Sequence, residues 1–270
     1  MPGHSSRAHT APGDDDLRPP LGVWPCGQDP HTHYSHDLTR RLITGLSRPG
    51  QAVAFLGHRD GTPLIEAARH DRRTYGVEVD PDRVHTAERR IRADLADEQR
   101  HDVAHWRGDA RAAAQLRDGT DGPLALVVAR LPAPGSRTAS STHRNHLGRL
   151  RGSAYSHAVG DVIAAAAGVL EPGGHAALVC GGADESGTGP DRVTACAHHA
   201  HAAGLVYLQH VIALTQPVGA YLDEMGAGAP GAGCLGPAQA QAAASVIHPA
   251  HDDVVLLRKP VREAEGEVGR

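Results

Sequence analysis

Residues 50–91 read GQAVAFLGHRDGTPLIEAARHDRRTYGVEVDPDRVHTAERRI. The run Ala52 to Leu56 is wholly apolar and lies between the Pro49-Gly50 turn and Gly57, which predicts a buried strand. Gly57 to Thr62 follows as a glycine-bearing loop that opens a helix. That helix is predicted from Thr62 to His70, with Pro63 in the first turn, where its missing N–H is no loss. A second strand, Arg73 to Val79, leads to Glu78-Val79-Asp80, and a second helix runs from Pro81 to Ala96. A rhythm of strand, glycine loop, helix, strand and acid belongs to α/β proteins, which bind ligands at the carboxyl ends of a parallel sheet.

The alternation continues downstream. Further strands are predicted over 102–106, 124–129, 175–180, 205–214 and 253–257, and further helices over 37–46, 155–170 and 191–203. The expected fold class is therefore α/β, a seven-stranded sheet with helices on both faces. Residues 1–20 are rich in Pro, Gly, Ser, His and Asp and predict a disordered arm. Residues 21–260 read as one domain, with mobile loops at 133–153 and 218–244, and 261–270 as a loose tail.

Composition limits the arguments that single residues can carry. Aromatic residues make up only 3% of the chain, so the core must be built from Ala, Val, Leu and Ile. Lys259 is the only lysine, and the bias towards Ala, Gly, Arg, His and Pro suggests a GC-rich genome. With 20 histidines, the short spacings at His31/His33, His198/His199/His201 and His248/His251 read as chance, and no metal site is expected. The net charge of −4 gives no general attraction to nucleic acid. Arg137, Arg144, Arg149 and Arg151 make one loop basic, read either as a phosphate-contacting loop or as a solvated one. Cys26, Cys180, Cys196 and Cys234 form no CxxC pair and read as free thiols. With no apolar run after the first basic residues and no stretch of about 18 apolar residues, a cytoplasmic protein without a membrane partner is expected.

The chemistry concentrates at three strand ends. Gly57 and Gly61 allow a tight turn and close backbone approach to a ligand, beside the unpaired N–H groups of a helix start. Glu78, about 20 residues on, can hold the two hydroxyls of a ribose. Asp109, in Gly108-Asp109-Ala110, can accept from an adenine amino group. Together these line a nucleoside pocket. The loop is GxxxG rather than GxGxxG, which disfavours a dinucleotide.

The segment Val169-Leu170-Glu171-Pro172-Gly173-Gly174, between a helix and an apolar strand, resembles the approach to the fifth strand in many S-adenosylmethionine methyltransferases. The resemblance narrows with Ser47-Arg48-Pro49-Gly50, Asp60-Gly61-Thr62-Pro63-Leu64-Ile65-Glu66-Ala67-Ala68, Tyr75-Gly76-Val77-Glu78-Val79-Asp80, Ala87-Glu88-Arg89-Arg90 and the closing stretch Val246 to Pro260. These blocks resemble the amino-methylating DNA methyltransferases, which act on N6 of adenine or N4 of cytosine. The resemblance implies a Rossmann-like methyltransferase fold over residues 23 to 260 and S-adenosylmethionine as cofactor. It also implies that Gly57, Gly61, Thr62, Glu78 and Asp109 touch that cofactor, with Phe55 and Asp60 in the same segment. Val23 to Gln28 and Ser35-His36 fall where the family has an extra cofactor motif.

Two positions depart from the family pattern. Phe55 stands where the family has an aspartate near the methionine amino group. The tetrapeptide after the fourth strand, (Asp/Asn/Ser)-Pro-Pro-(Tyr/Phe) in the family, is represented by the catalytic positions Arg130-Leu131-Pro132-Ala133. A flipped base needs an acceptor for its amino group and an aromatic ring to stack on, and these residues offer neither. The expectation is a methyltransferase of this type with weak or lost DNA methylation. An inactive binding or regulatory module that keeps the fold, and a small-molecule methyltransferase, remain alternatives. DNA and a small molecule are the candidate partners; the oligomeric state is not legible.

Overall fold

The structure, a computed structural model, describes residues 22–26, 35–135, 143, 145–181, 192–215 and 251–261. The predicted arm at 1–20 and the predicted loop at 218–244 lie outside the described residues, as does all but Val261 of the predicted tail.

The strands are β1 (Val23–Pro25), β2 (Ala52–Leu56), β3 (Arg73–Glu78), β4 (Val103–Arg107), β5 (Leu124–Leu131), β6 (Leu170–Cys180), β7 (Val206–Leu214) and β8 (His251–Arg258). They form one sheet in the order β1-β7-β8-β6-β5-β2-β3-β4. Every pairing is parallel except those of β8, which runs antiparallel to β6 and β7. The sheet has eight strands rather than the seven expected. The addition is β1, three residues too short to show periodicity, fixed by pairing Val23 with Ile212 and Pro25 with Leu214. The segment that resembled an extra cofactor motif thus supplies, over residues 23–25, an edge strand.

Helices cover both faces. On one lie α1 (His36–Leu46), α2 (Thr62–Arg69) and α3 (Pro81–Asp94), whose apolar residues join Val53, Phe55, Leu126 and Val128 in one core cluster. On the other lie α5 (Ala113–Asp118), α6 (Gly152–Val169) and α7 (Arg192–Ala202), packed on Leu56, Val127, Leu178 and Val255. A short α4 (Asp97–Arg100) precedes β4. The central strands are buried on both faces, which is why AVAFL and LALVVARL read as nearly continuous apolar runs.

Local chemistry sets the helix starts. Ser35 caps α1 by accepting from the Leu38 N–H at 3.4 Å, and Asp80 caps α3 by accepting from Asp82 N–H at 3.0 Å, with Pro81 next. Two segments differ from the loop expected over 133–153: Leu147–Arg149 makes a 3-10 turn, and α6 begins at Gly152. Glycine and serine in the first turn hid that helix start. Among the described residues no helix is long and apolar enough to cross a membrane.

Candidate functional site

The cleft opens at the carboxyl ends of β3, β2 and β5, where α/β sheets place their ligands. It measures about 610 Å³, its solvent-open mouth included. Gly57, Arg59, Glu78, Arg83, Asp109, Arg130, Pro132 and His146 line it, with apolar walls from Leu56, Val77 and Ala129.

Glu78 is the best-anchored acid in the cleft. It is buried at the end of β3, and its carboxylate accepts the backbone N–H groups of Arg59 at 3.0 Å, Val79 at 2.9 Å and Asp80 at 3.2 Å. Burial pushes its carboxyl above the ordinary range, opposed by those amides and by Arg83. A carboxylate has about four lone-pair sites, so three amides leave room for a hydroxyl donor. The bond from Arg59 also ties Glu78 to the loop after β2.

That loop is shaped by left-handed backbone. Gly57 has φ +79°, and its N–H donates to Val77 O at 2.8 Å, bringing the loop back towards β3. Arg59 adopts φ +58°, an uncommon conformation for a residue with a side chain. His58 does not crowd the cleft. It is fully buried, edge-on to the His105 ring with centroids 5.5 Å apart, and among the described residues no side chain hydrogen-bonds its ring nitrogens. Burial, and then His105, lowers its pKa to about 3, so its ring is neutral at physiological pH.

The other predicted cofactor residues divide sharply by place. Phe55 is fully buried among α1 and α2 residues and does not line the cleft. Asp60, Gly61 and Thr62 form a clamp between helices rather than part of the lining. Asp60 accepts from Thr62 N–H at 3.2 Å and from the Thr62 hydroxyl at 2.9 Å, and it pairs with Arg90 of α3. Gly61 has φ +85°, and a Cβ there would lie 2.8 Å from the Ala87 Cβ. Asp109 does line the cleft, but both its oxygens accept from Arg111, at 2.9 Å from Nε and 2.6 Å from Nη2. Burial alone would raise the Asp109 carboxyl; the bonds from Arg111 hold it below the usual carboxylate range.

At the end of β5, Arg130 and Pro132 line the cleft, whereas Leu131 is buried in the core beneath α6. Ala133 is partly buried and is not among the lining residues. Sequence reasoning missed Arg59, Arg83 and His146. His146 Nδ1 accepts from Gly148 N–H at 3.1 Å, which leaves Nε2 as the donor of the neutral ring. Burial, then Arg83 and Arg59, lowers its pKa to about 4. Arg83 lies one turn into α3 after Asp80, a spacing visible in the sequence; the route of His146 back to the cleft was not.

Of the histidines of α7, His199 has a packing role, meeting the Ser156 hydroxyl at 3.0 Å and filling the space beside Gly160, while His198 and His201 are exposed. Cys26, Cys180 and Cys196 are buried, and Cys180 of β6 and Cys196 of α7 belong to the same core cluster, a proximity that a gap of sixteen residues in sequence did not announce. Among the described residues no three His, Cys, Asp or Glu side chains converge as metal ligands.

No protein-family model and no curated protein matches the chain. Solved structures do. The [4+2]-cyclase SpnF is 20% identical, over 89% of this chain and 87% of that one, with a TM-score of 0.51. A geranyl diphosphate methyltransferase in complex with S-adenosylmethionine is 12% identical, over 88% and 98%, with a TM-score of 0.52. TrmN from Thermus thermophilus is 16% identical over 85% of this chain, with a TM-score of 0.50, and this chain spans half the length of that protein. At such identities the likeness concerns architecture. The chain has the Rossmann-like fold of S-adenosylmethionine-dependent methyltransferases.

Proposed function

We propose that the chain is an S-adenosylmethionine-dependent methyltransferase acting on a small molecule. The observation that carries the cofactor assignment is Glu78. Its carboxylate stands at the end of β3, oriented by three backbone amides, beside the left-handed turn at Gly57. Buried, oriented and with about one lone-pair site left by the amides, it suits a ribose hydroxyl. The residues present fit the cofactor in this respect: Glu78 would hold the ribose, Gly57 would give close backbone approach, and Asp109 would meet the adenine while sharing its oxygens with Arg111. When bound, the cofactor supplies an electrophilic methyl group; the protein's part is to position the acceptor and exclude water.

The acceptor class follows from the end of β5. A stacked base needs an aromatic platform, and among the described residues lining the cleft there is no Phe, Tyr or Trp, the one ring being that of His146. An amino acceptor needs a hydrogen-bond acceptor, and a guanidinium has donors only. This favours a small molecule over the DNA amino groups that the sequence resemblance implies.

The test is calorimetric titration with S-adenosylhomocysteine. The wild-type chain is expected to bind, and Glu78→Gln to bind about ten- to a hundredfold more weakly. In Gln, one acceptor oxygen becomes a donor facing either an amide or the ribose, a loss of about 1.5–3 kcal/mol. A wild-type chain that binds neither S-adenosylhomocysteine nor S-adenosylmethionine ends this proposal. Label transfer from S-adenosylmethionine to duplex or single-stranded DNA would overturn the small-molecule assignment.

A further inference from the structure

We propose that His146 is a second ribose-binding residue: its Nε2–H donates to a ribose hydroxyl of the bound nucleoside, opposite the accepting carboxylate of Glu78. The proposal rests on the nucleoside-cofactor reading of this cleft and names a donor that Glu78 alone does not supply.

The segment before α6 reaches over the cleft from the β5 side. Its base is closed by the Gly135 N–H, which donates to Leu150 O at 3.1 Å. Further out, His143 Nε2 lies 2.9 Å from Arg107 Nη2 at the end of β4, and Leu147 packs on the core beneath α6. His146 stands between these two anchors and lines the cleft with its neighbours Asn145 and Leu147. It is 8% exposed, and its ring is fixed on one side, where Nδ1 accepts from Gly148 N–H at 3.1 Å and caps the Leu147–Arg149 turn. Among the described residues its Nε2 has no hydrogen-bond partner.

Burial, then Arg83 and Arg59, keep that ring neutral. A neutral ring whose Nδ1 accepts carries its proton on Nε2. The same two arginines belong to the Glu78 end of the cleft. The Arg59 N–H donates to Glu78 at 3.0 Å, and Arg83, itself paired with Asp80 at 3.7 Å, also acts on the Glu78 carboxyl. Glu78 and His146 therefore border the same part of the cleft, one from β3 and the other from the β5 side. A hydroxyl both donates and accepts. Three amides leave Glu78 about one lone-pair site, enough for one hydroxyl proton, and a carboxylate has no donor to offer a hydroxyl oxygen. The Nε2–H supplies it. A ribose diol meets both groups at once, whereas a deoxyribose leaves one of them unpaired in a largely buried place, which is costly.

Calorimetry with 5′-methylthioadenosine and with its 2′-deoxy and 3′-deoxy analogues tests this. Wild type is compared with His146→Asn, whose amide oxygen can keep the Gly148 bond but which lacks the reach of Nε2, and with His146→Phe, which keeps a ring without a donor. Thermal melts show which variants are folded, and each folded variant is judged by itself. The variants are expected to bind 5′-methylthioadenosine about fivefold more weakly, the worth of one neutral hydrogen bond, and to keep wild-type affinity for one of the two deoxy analogues. A packing role alone would weaken all three probes by the same factor. The proposal is overturned if, in a folded variant, the losses for the three probes agree within about threefold, no loss at all included. If neither variant folds, the Nε2–H resonance of His146 in the wild-type protein decides: it must shift with 5′-methylthioadenosine and not with one of the analogues, and equal shifts overturn the proposal. Should wild type bind no nucleoside, the methyltransferase reading falls and this proposal with it, whereas wild-type binding with unselective variants overturns the role of His146 alone.

Discussion

His58 illustrates how much one residue's surroundings matter. In the sequence it stands in the cofactor loop; in the fold it turns inward and is fully buried. Its pKa of about 3 in the folded chain, against about 6.5 when unfolded, has a definite consequence. Between those values the unfolded chain binds the extra proton, so stability is complete above about pH 6.5 and declines as pH falls towards 3. The slope approaches about 1.4 kcal/mol per pH unit, or about 2 kcal/mol between pH 7 and pH 5. His146, His105 and His175 are also shifted downwards, so the measurement is a comparison: urea unfolding of wild type and His58→Leu at both pH values. The variant is expected to gain about 2 kcal/mol relative to wild type at the lower pH. Parallel pH profiles would show that the loop admits water to the ring.

Between elements, two devices hold the helices that frame the cleft. The first is the crossing of α2 and α3 at Gly61, where left-handed backbone and a 2.8 Å approach to Ala87 both exclude a side chain. Gly61→Ala is expected to cost about 1–3 kcal/mol in chemical denaturation, and to weaken ligand binding only through movement of the loop. A variant as stable as wild type would mean that α3 shifts freely. The second is Arg72, a buried guanidinium between the end of α1 and the start of β3. It donates to Ser47 O at 2.7 Å, to Ser47 Oγ at 3.1 Å and to His70 O at 2.5 Å. Arg72→Met leaves those carbonyls without their donor and is expected to cost about 2–4 kcal/mol, read as a lower denaturation midpoint. Neither device touches the cleft, so both substitutions separate stability from ligand chemistry.

Across the whole molecule, stability should follow the strand order. β5, β6 and β8 lie in the middle of the sheet, while β1 and β4 are its edges. β5 is nearly all buried and β8 has a run of four buried residues, Val254 to Leu257, whereas β4 is mostly half-exposed and β1 has three residues. Native-state hydrogen exchange is therefore expected to be slowest in β5, β6 and β8, at the global unfolding free energy, and fastest in β1 and β4. Equal protection of β4 and β5 would contradict this gradient. The cleft lies across that gradient, with Arg130 on the stable centre and Asp109 beyond the β4 edge, so ligand binding is expected to protect β4 most.

Much of this was legible without the fold. Seven strands and the order of their helices were read from apolar runs, glycine turns and prolines, because those signals are local. Glu78 was placed at a strand end by the same local logic. Tertiary structure alone decided the rest. β1 exists only through its partner strand, and α6 starts earlier than its glycine and serine suggest. Asp60, Gly61 and Thr62 proved to grip α3 rather than line the cleft, because their partners Arg90 and Ala87 come from another helix. Arg130 illustrates the division. The sequence by itself determined that a cation, not an acceptor, ends β5. Only the packing of β6 and β8 around it, with Gly181 leaving the space and Asp252 the charge, decided where that cation is held, because non-local contacts leave no periodicity to read.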